Sequence, residues 1–501
     1  MNARALPLLY ADPAPGEIAV DSAGTRAAVE AAVTRECRRF NSTDTGNGKR
    51  FALRHAGSAR YCVGRDLWYL FDGTRWTADP GRTVRELAKA TAVAINAEAA
   101  DEPDDRRRRE LQRWAKESES SARIRAMLEM ASTDPAVRIA PDDLDADPDL
   151  VTLRNGTLDL RTLALRPHRP GDLITRLANV DYDPDAACPI WEAHLRRIFA
   201  GDDGYIRSLQ ELLGYALLAG NPLQIFPIWW GSGANGKSVT IAAVRSILGD
   251  YAVSAAAETF MAKATDGGPR PDVLALRGAR LVVAVESERG HRLNEAFVKQ
   301  MTGGDPWSGR NLYSPVMETF LPSHLAILVT NPLPAVRGIE DAIWRRLQFW
   351  PFGVTIPAGE RVPEYDRVLL EEAPGILSWM LDGLRRYCAR GRTIAVPPPV
   401  EAATARHRFE MDALAPFLRD ECVRDSEGVA DRADLYDRYE VYCTETGDEP
   451  LSKRAFANAL KERGVADGPS VRGRRTWRGL RVRTAAERSE AEATGSLQEN
   501  L

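Results

Sequence analysis

Residues Gly231-Ser232-Gly233-Ala234-Asn235-Gly236-Lys237-Ser238 meet every fixed position of the pattern G-x-x-x-x-G-K-[ST]. A loop of this composition wraps backbone N–H groups around a polyphosphate, with the lysine on the outer phosphates and the serine hydroxyl on Mg2+. The motif constrains fold as well as chemistry. It works between a buried strand and the N-terminus of a helix, where partial positive charge collects. Both flanks are present. Ile225-Phe226-Pro227-Ile228-Trp229-Trp230 is an apolar run suited to a buried strand, and residues 239–248 carry apolar side chains at helical spacing. The chain is expected to bind a nucleoside triphosphate, with ATP and Mg2+ as the natural pair.

A chain of 501 residues predicts two to four domains. No apolar run approaches a membrane span, and residues 1–17 lack a signal-peptide pattern, so the expectation is a soluble, cytoplasmic protein with no membrane partner. Six scattered cysteines with no C-x-x-C pair argue against a zinc ribbon and a disulfide framework. The formal charge of −4 does not advertise nucleic-acid binding, so any such contact must use local basic groups.

Along the chain, residues 1–40 are Ala- and Pro-rich and expected to be loosely ordered, with an N-terminal α+β region over 41–150. Residues 61–76 read as two strands joined by an Asp-Gly turn. Residues 82–132 read as helical, and the run Arg106 to Arg109 reads as a solvated helix face rather than a DNA contact. A hairpin is expected through Asn155-Gly156, then helices over 190–220. The Pro397-Pro398-Pro399 run reads as a linker before a C-terminal unit, and 485–501 as a disordered tail.

A triphosphatase needs more than a loop. Residues 280–285 form an apolar strand that ends in Glu286, with Glu288 two residues on. Ligands gather at the carboxyl ends of parallel strands, so these acids are candidates to hold Mg2+ and polarise the attacking water, against the alternative of solvated strand-end acids. Residues 325–330 form a second such strand, ending in Asn331, which is either a sensor of the terminal phosphate or a turn residue. In Asp341-Ala342-Ile343-Trp344-Arg345-Arg346, one arginine is a candidate finger donated to a neighbouring subunit. An internal pair with Asp341 is the alternative. Residues 298–320 read as a helix end, a Gly-Gly break and a hairpin carrying Lys299, Arg310 and Tyr313, cations and a ring suited to gripping a nucleic-acid strand.

Taken together, the Gly-x-Gly-x-Asn-Gly-Lys-Ser loop, Arg-Leu-Val-x-x-x-Glu-x-Glu, Met301-Thr302-Gly303-Gly304-Asp305, Thr330-Asn331 and Asp-x-x-Trp-Arg-Arg resemble a superfamily 3 helicase, of the phage, plasmid and poxvirus-type primase–helicase family. Upstream, Asn155-Gly156-Thr157-Leu158-Asp159-Leu160, Cys188-Pro189-x-Trp191 and Leu209-Gln210-x-x-x-Gly214-Tyr215 look like the helical module that precedes the core in that family. The resemblance implies an α/β, P-loop NTPase (AAA+-like) core over 223–395, behind a helical module over 151–222. It implies a homo-hexameric ring that hydrolyses ATP at subunit interfaces and moves 3′ to 5′ along single-stranded DNA in phage or mobile-element replication. By position, Lys237 and Ser238 would bind phosphate and Mg2+, Glu286 with Glu288 would be the acidic motif, Asn331 the sensor and Arg346, or else Arg345, the finger. Lys299 and Arg310 would fall on the channel hairpin. Single-stranded and forked DNA would be partners, with a separate primase or replication initiator.

Relatives often carry a primase–polymerase domain. Here about 150 residues precede the helical module, without an Asp-x-Asp or Asp-x-Glu strand and partner His, so the chain is expected to be helicase-only and to make no primers. The C-terminal unit, 400–484, reads as three helices followed by an arginine-rich hairpin. That suggests a winged helix with Arg474, Arg475 and Arg478 on DNA phosphates. Three further readings stay open: an initiator that melts an origin, a primase–helicase that also primes, and a nucleotide-switched assembly protein with no DNA role.

Overall fold

The structure, a computed structural model, describes residues 22–262, 270–286, 292–309, 318–338, 340–447, 449–471, 473–484 and 486–487. The chain divides into two units, Met1–Asp183 with Leu248–Tyr251, and Pro184–Ile247 with Ala252–Leu501. Among the described residues no helix is long and apolar enough to cross a membrane.

The first unit is α+β. Order begins before residue 40, because the helix Ser22–Cys37 buries Val33, Thr34 and Cys37. Three strands, not two, occupy the stretch around the Asp-Gly turn: Ala59–Cys62, Leu67–Phe71 and Trp76–Asp79. Arg138–Ile139 joins them as a fourth. The turn itself is where its chemistry puts it. Asp72 Oδ1 accepts from the N–H of Thr74 at 2.8 Å and of Arg75 at 2.9 Å, and Gly73 takes φ 102°. Helices Thr83–Ala100, Asp105–Ser118 and Ser121–Ser132 follow, and Arg106, Arg107 and Arg109 lie exposed on the second of them. In the small sheet beyond, Leu153 pairs with Gly156, so the hairpin turns on Arg154-Asn155 and the glycine already belongs to the returning strand.

The second unit is built on a wholly parallel five-stranded sheet: β1 Phe226–Trp230, β2 Ala252–Ala256, β3 Leu281–Glu286, β4 Leu325–Thr330 and β5 Leu347–Pro351, in the order β5-β1-β4-β3-β2. Strands covered on both faces read as continuous apolar runs, and every residue of β4 is buried. Phe226, Ile228, Val282, Ala284, Leu328 and Phe349 form the core on one face. Trp229, Val283 and Ile327, at alternate positions, are buried too.

Three helices build a second layer. Pro189–Ile198 and Asp203–Tyr215 realise the expected helical stretch, and Ala373–Ala389 crosses the latter at a glycine pair. A Cβ on Gly214 would lie 2.3 Å from the Leu384 nitrogen, and one on Gly383 would lie 1.9 Å from the Gln210 oxygen, so the backbones touch. Gln210 Nε2 donates to the Trp379 carbonyl at 2.7 Å, and Glu211 accepts from Arg390 at 3.0 Å.

The Pro397–Pro399 run is not a linker. Pro398 opens the helix Pro398–Met411, since a proline at the first helical position loses no intrahelical hydrogen bond. That helix packs on β5, and Thr404 Oγ1 accepts from the Phe349 N–H at 3.1 Å. Beyond Asp412 a separate core gathers Phe417, Leu435, Tyr439, Phe456, Leu460 and Trp477. Its order is helix Ala415–Glu421, strand Cys422–Asp431, helices Arg432–Thr446 and Lys453–Glu462, then strands Ala466–Asp467 and Thr476–Val482. The strand between the first two helices was not expected from sequence; it pairs along the whole of Thr476–Val482, with an irregularity between Asp425 and Val429.

Candidate nucleotide-binding site

The glycine-rich loop leaves β1 at Gly231 and ends where the helix Lys237–Leu248 begins. Gly233 and Gly236 take φ 99° and 85°, backbone that side-chain-bearing residues adopt only under strain. The loop is pinned to the chain leaving β5. Phe352 N–H donates to Trp230 O at 2.8 Å, Asn235 Nδ2 to Phe352 O at 3.2 Å, and Ile356 N–H to Ala234 O at 2.7 Å. Beneath it, Gly236 approaches the helix Pro189–Ile198 so closely that a Cβ would sit 2.7 Å from Ile198 Cγ2. Thr240 donates its hydroxyl to Gly236 O and accepts from His194 Nε2, both at 2.9 Å. Burial pushes the His194 imidazole down to about 4, so it is the neutral ring that braces the loop.

Lys237 is 3% exposed. Its Nζ donates to Gly231 O at 2.9 Å, Asn235 Oδ1 at 3.1 Å and Asn331 Oδ1 at 3.3 Å. All three acceptors are neutral, and burial moves the amine down to about 8. Among the described residues the partners of this ammonium are dipoles alone, an arrangement that suits an anion. Ser238, next in the helix, is exposed.

Asn331 follows β4 directly, and the structure brings its side chain onto the loop lysine across 94 residues of sequence. Glu286 pairs in register with Thr330, and Thr330 with Trp230, so the ends of β3, β4 and β1 form one row beside the loop. Glu288 lies outside the described residues. Arg345 and Arg346 differ. Arg345 is exposed and donates to Gln224 Oε1 at 3.0 Å. Arg346 is buried, and donates from Nε to Thr302 Oγ1 at 3.0 Å and from Nη2 to Gln224 Oε1 at 3.1 Å; burial lowers its pKa. Asp341 pairs with neither, but with Arg408 at 2.6 Å.

The helix Glu295–Gly303 ends on Gly304 at φ 77°, and strands Trp307–Gly309 and Glu318–Phe320 form the legs of the expected hairpin. Arg310 and Tyr313, expected on the hairpin, lie outside the described residues. Lys299 is engaged by Glu340 at 2.6 Å. In the C-terminal domain Arg474 faces Asp434 at 3.2 Å and Arg478 faces Glu427 at 3.1 Å, while Arg475 is exposed. Four groups come to light only in the fold: His194 and Thr240 under the loop, Gln224 between the arginines, and the exposed face Lys453, Arg454, Asn458 and Lys461 of the third C-terminal helix. Only the last had a sequence signal, its cations at helical spacing. Among the described residues no cluster of three or more His, Cys, Asp or Glu could hold a metal ion.

A family model described as "D5 N terminal like" matches residues 48–200, and one described as "Poxvirus D5 protein-like" matches residues 409–477. "Putative helicase 022R" of Frog virus 3 (isolate Goorha) is 24% identical over 400 residues, 64% of this chain and 41% of that protein. "Putative helicase 121R" of Invertebrate iridescent virus 3 is 25% identical over 310 residues, 56% of this chain and 33% of that protein. "Putative helicase L207/L206" of Acanthamoeba polyphaga mimivirus is 27% identical over 304 residues, 56% of this chain and 31% of that protein. The chain thus spans less than half the length of these relatives. Among solved structures, the apo C-terminal region of NrS-1 overlays with a TM-score of 0.49 at 11% identity, covering 86% of this chain and 97% of that one.

Proposed function

We propose that this chain, which belongs to the poxvirus D5-like primase–helicase family, is an ATP-driven DNA helicase whose nucleotide sites are completed across the interfaces of a ring. The observation that carries the reading is the convergence of Gly231, Asn235 and Asn331 on the buried ammonium of Lys237 at the carboxyl end of a parallel sheet. It is the seat of a triphosphate.

In this reading residues 231–238 form a P-loop in an AAA+-like core. The loop amides and Lys237 bind the β- and γ-phosphates of ATP, trading the three neutral acceptors for phosphate oxygens. Ser238 and Glu286 would hold Mg2+, which when bound would offset negative charge on the phosphates. Magnesium needs no protein cage, since it keeps several waters and takes one or two side chains beside the phosphates, so a single exposed hydroxyl and a strand-end acid suit it. Glu286 and Glu288 polarise the attacking water, and Asn331, already on Lys237, registers the terminal phosphate. The finger comes from the Arg345–Arg346 pair. Exposure favours Arg345 as the group that reaches a neighbour, with buried Arg346 holding the segment through Thr302.

Lys299, on the helix Glu295–Gly303 ahead of the hairpin, acts with Arg310 and Tyr313 in gripping the strand, movement is 3′ to 5′, and the ring is a homo-hexamer. The helix-strand-helix-helix-strand-strand order of the C-terminal domain supports a winged helix, with Arg474, Arg475 and Arg478 near DNA phosphates. The test is ATP hydrolysis by the purified chain with and without single-stranded DNA. DNA should accelerate it and Lys237→Ala should abolish it, whereas Arg310→Ala should keep hydrolysis and lose strand separation. Hydrolysis indifferent to DNA would sink the helicase reading.

A further inference from the structure

The helix Pro398–Met411 leads from the parallel sheet into the C-terminal domain, and one face of it covers the edge strand β5. Thr404 takes up the Phe349 N–H, a donor that a sheet edge would otherwise leave open. One turn further, His407 is 4% exposed. Its Nε2 donates to the Pro334 carbonyl at 3.1 Å. Its ring lies 4.5 Å from the Phe349 ring and 6.2 Å from the Trp344 ring, centroid to centroid. Pro334 belongs to the segment that leaves Asn331, and Trp344 immediately precedes Arg345. One buried side chain therefore touches both the segment of the candidate sensor and the segment of the arginine pair. Arg408 adds an exposed pair with Asp341, worth little, and lies over the Trp344 ring at 5.9 Å, but it does not share the burial of His407. The histidine carries the link.

We propose that His407 is a positioning residue: anchored on the Pro334 carbonyl, it holds Trp344, and through it the Arg345–Arg346 segment, at the angle at which the finger of that pair is offered to a neighbouring subunit. The helix Pro398–Met411 thereby lets the C-terminal domain set the competence of the next nucleotide site. The inference rests on the reading that the arginine pair acts across an interface. Burial keeps the imidazole neutral, so it spends its one N–H on the carbonyl and places no charge beside the guanidinium groups.

The experiment compares His407→Leu, which removes ring and donor, with His407→Gln, which keeps a donor, in the full chain. It reads DNA-stimulated turnover, ATP affinity, and turnover after mixing with Lys237→Ala protomers. Those protomers have a crippled phosphate loop but intact arginines, which they lend to the variant's own sound loops. We expect His407→Leu to lose turnover by on the order of ten- to a hundredfold with ATP affinity unchanged. His407→Gln should recover part of it, and mixing should restore it, as for Arg345→Ala or Arg346→Ala. Thr404→Val, nearly isosteric, should give a smaller loss of the same kind, and serves should His407→Leu fail to fold. Wild-type turnover in the variants overturns the inference. So does a loss that mixing leaves unrestored while an arginine variant is restored. If mixing restores neither arginine variant, the interface reading itself falls, and this inference with it.

Discussion

Asn235→Asp is nearly isosteric and changes one atom, yet should cripple nucleotide binding. Asn235 accepts from Lys237 Nζ at 3.1 Å and donates from Nδ2 to Phe352 O at 3.2 Å. A carboxylate at that separation attracts the ammonium by about 5 kcal/mol at an effective dielectric of about 20. The same change sets an oxygen against the Phe352 carbonyl, and a buried acceptor left unpaired costs about 1–3 kcal/mol. The lysine is then locked to its own loop, and an incoming triphosphate must break that pair beside a new negative charge. Affinity should fall by roughly 3 kcal/mol or more, which is over a hundredfold. Asn235→Ala also removes an acceptor, but frees the lysine for phosphate, so its loss should stay within about tenfold. Titration with a fluorescent ATP analogue, beside a melting curve to certify folding, reads both. Equal affinities for the two variants, or wild-type affinity in Asn235→Asp, would refute the account of Lys237.

Burial places the Lys237 amine at about 8, so ATP affinity should decline as pH rises through 8, and Lys237→Arg should flatten that decline. Between that value and the ordinary 10.5 the unfolded chain binds the extra proton, so this group makes the fold more stable as pH rises, and the lost affinity is not unfolding. Gly214→Ala drives a Cβ to 2.3 and 2.5 Å from backbone atoms of Leu384 and Met380. It should cost about 1–3 kcal/mol by overpacking, measured as a lower denaturation midpoint. Gly204→Ala, which meets only Asp202 Oδ1 at 3.2 Å, should be near neutral. Arg475→Ala should lower the salt slope of DNA binding by about 1, and Arg474→Ala by less, because Asp434 already engages it.

The parallel core was legible because its central strands are largely covered on both faces and so are written as apolar runs, at residues 226–230, 281–285 and 325–329. The strand-loop-helix around residues 231–238 was legible because its glycines answer a local need of the backbone, with φ 99° at Gly233 and 85° at Gly236. Three features were not. The strand Cys422–Asp431 alternates irregularly between buried and exposed positions and carries charges throughout, so it shows no strand period. The prolines at 397–399 signal a break equally well before a helix and inside a linker, and only packing on β5 decides. Lone histidines such as His194 and His407 reveal nothing until the fold shows which carbonyl or hydroxyl each one meets. For Arg345 and Arg346 the sequence offered Asp341 as an internal partner, but the helix Pro398–Met411 supplies Arg408 to that acid, and Gln224 receives both arginines instead.

The most direct test of the account is strand separation on a synthetic fork by the full chain with ATP and Mg2+. A fork with a 3′ single-stranded tail should be opened, one with only a 5′ tail should not, and Lys237→Ala should open neither. A chain that hydrolyses ATP at a DNA-stimulated rate yet separates no fork of either kind would contradict the account.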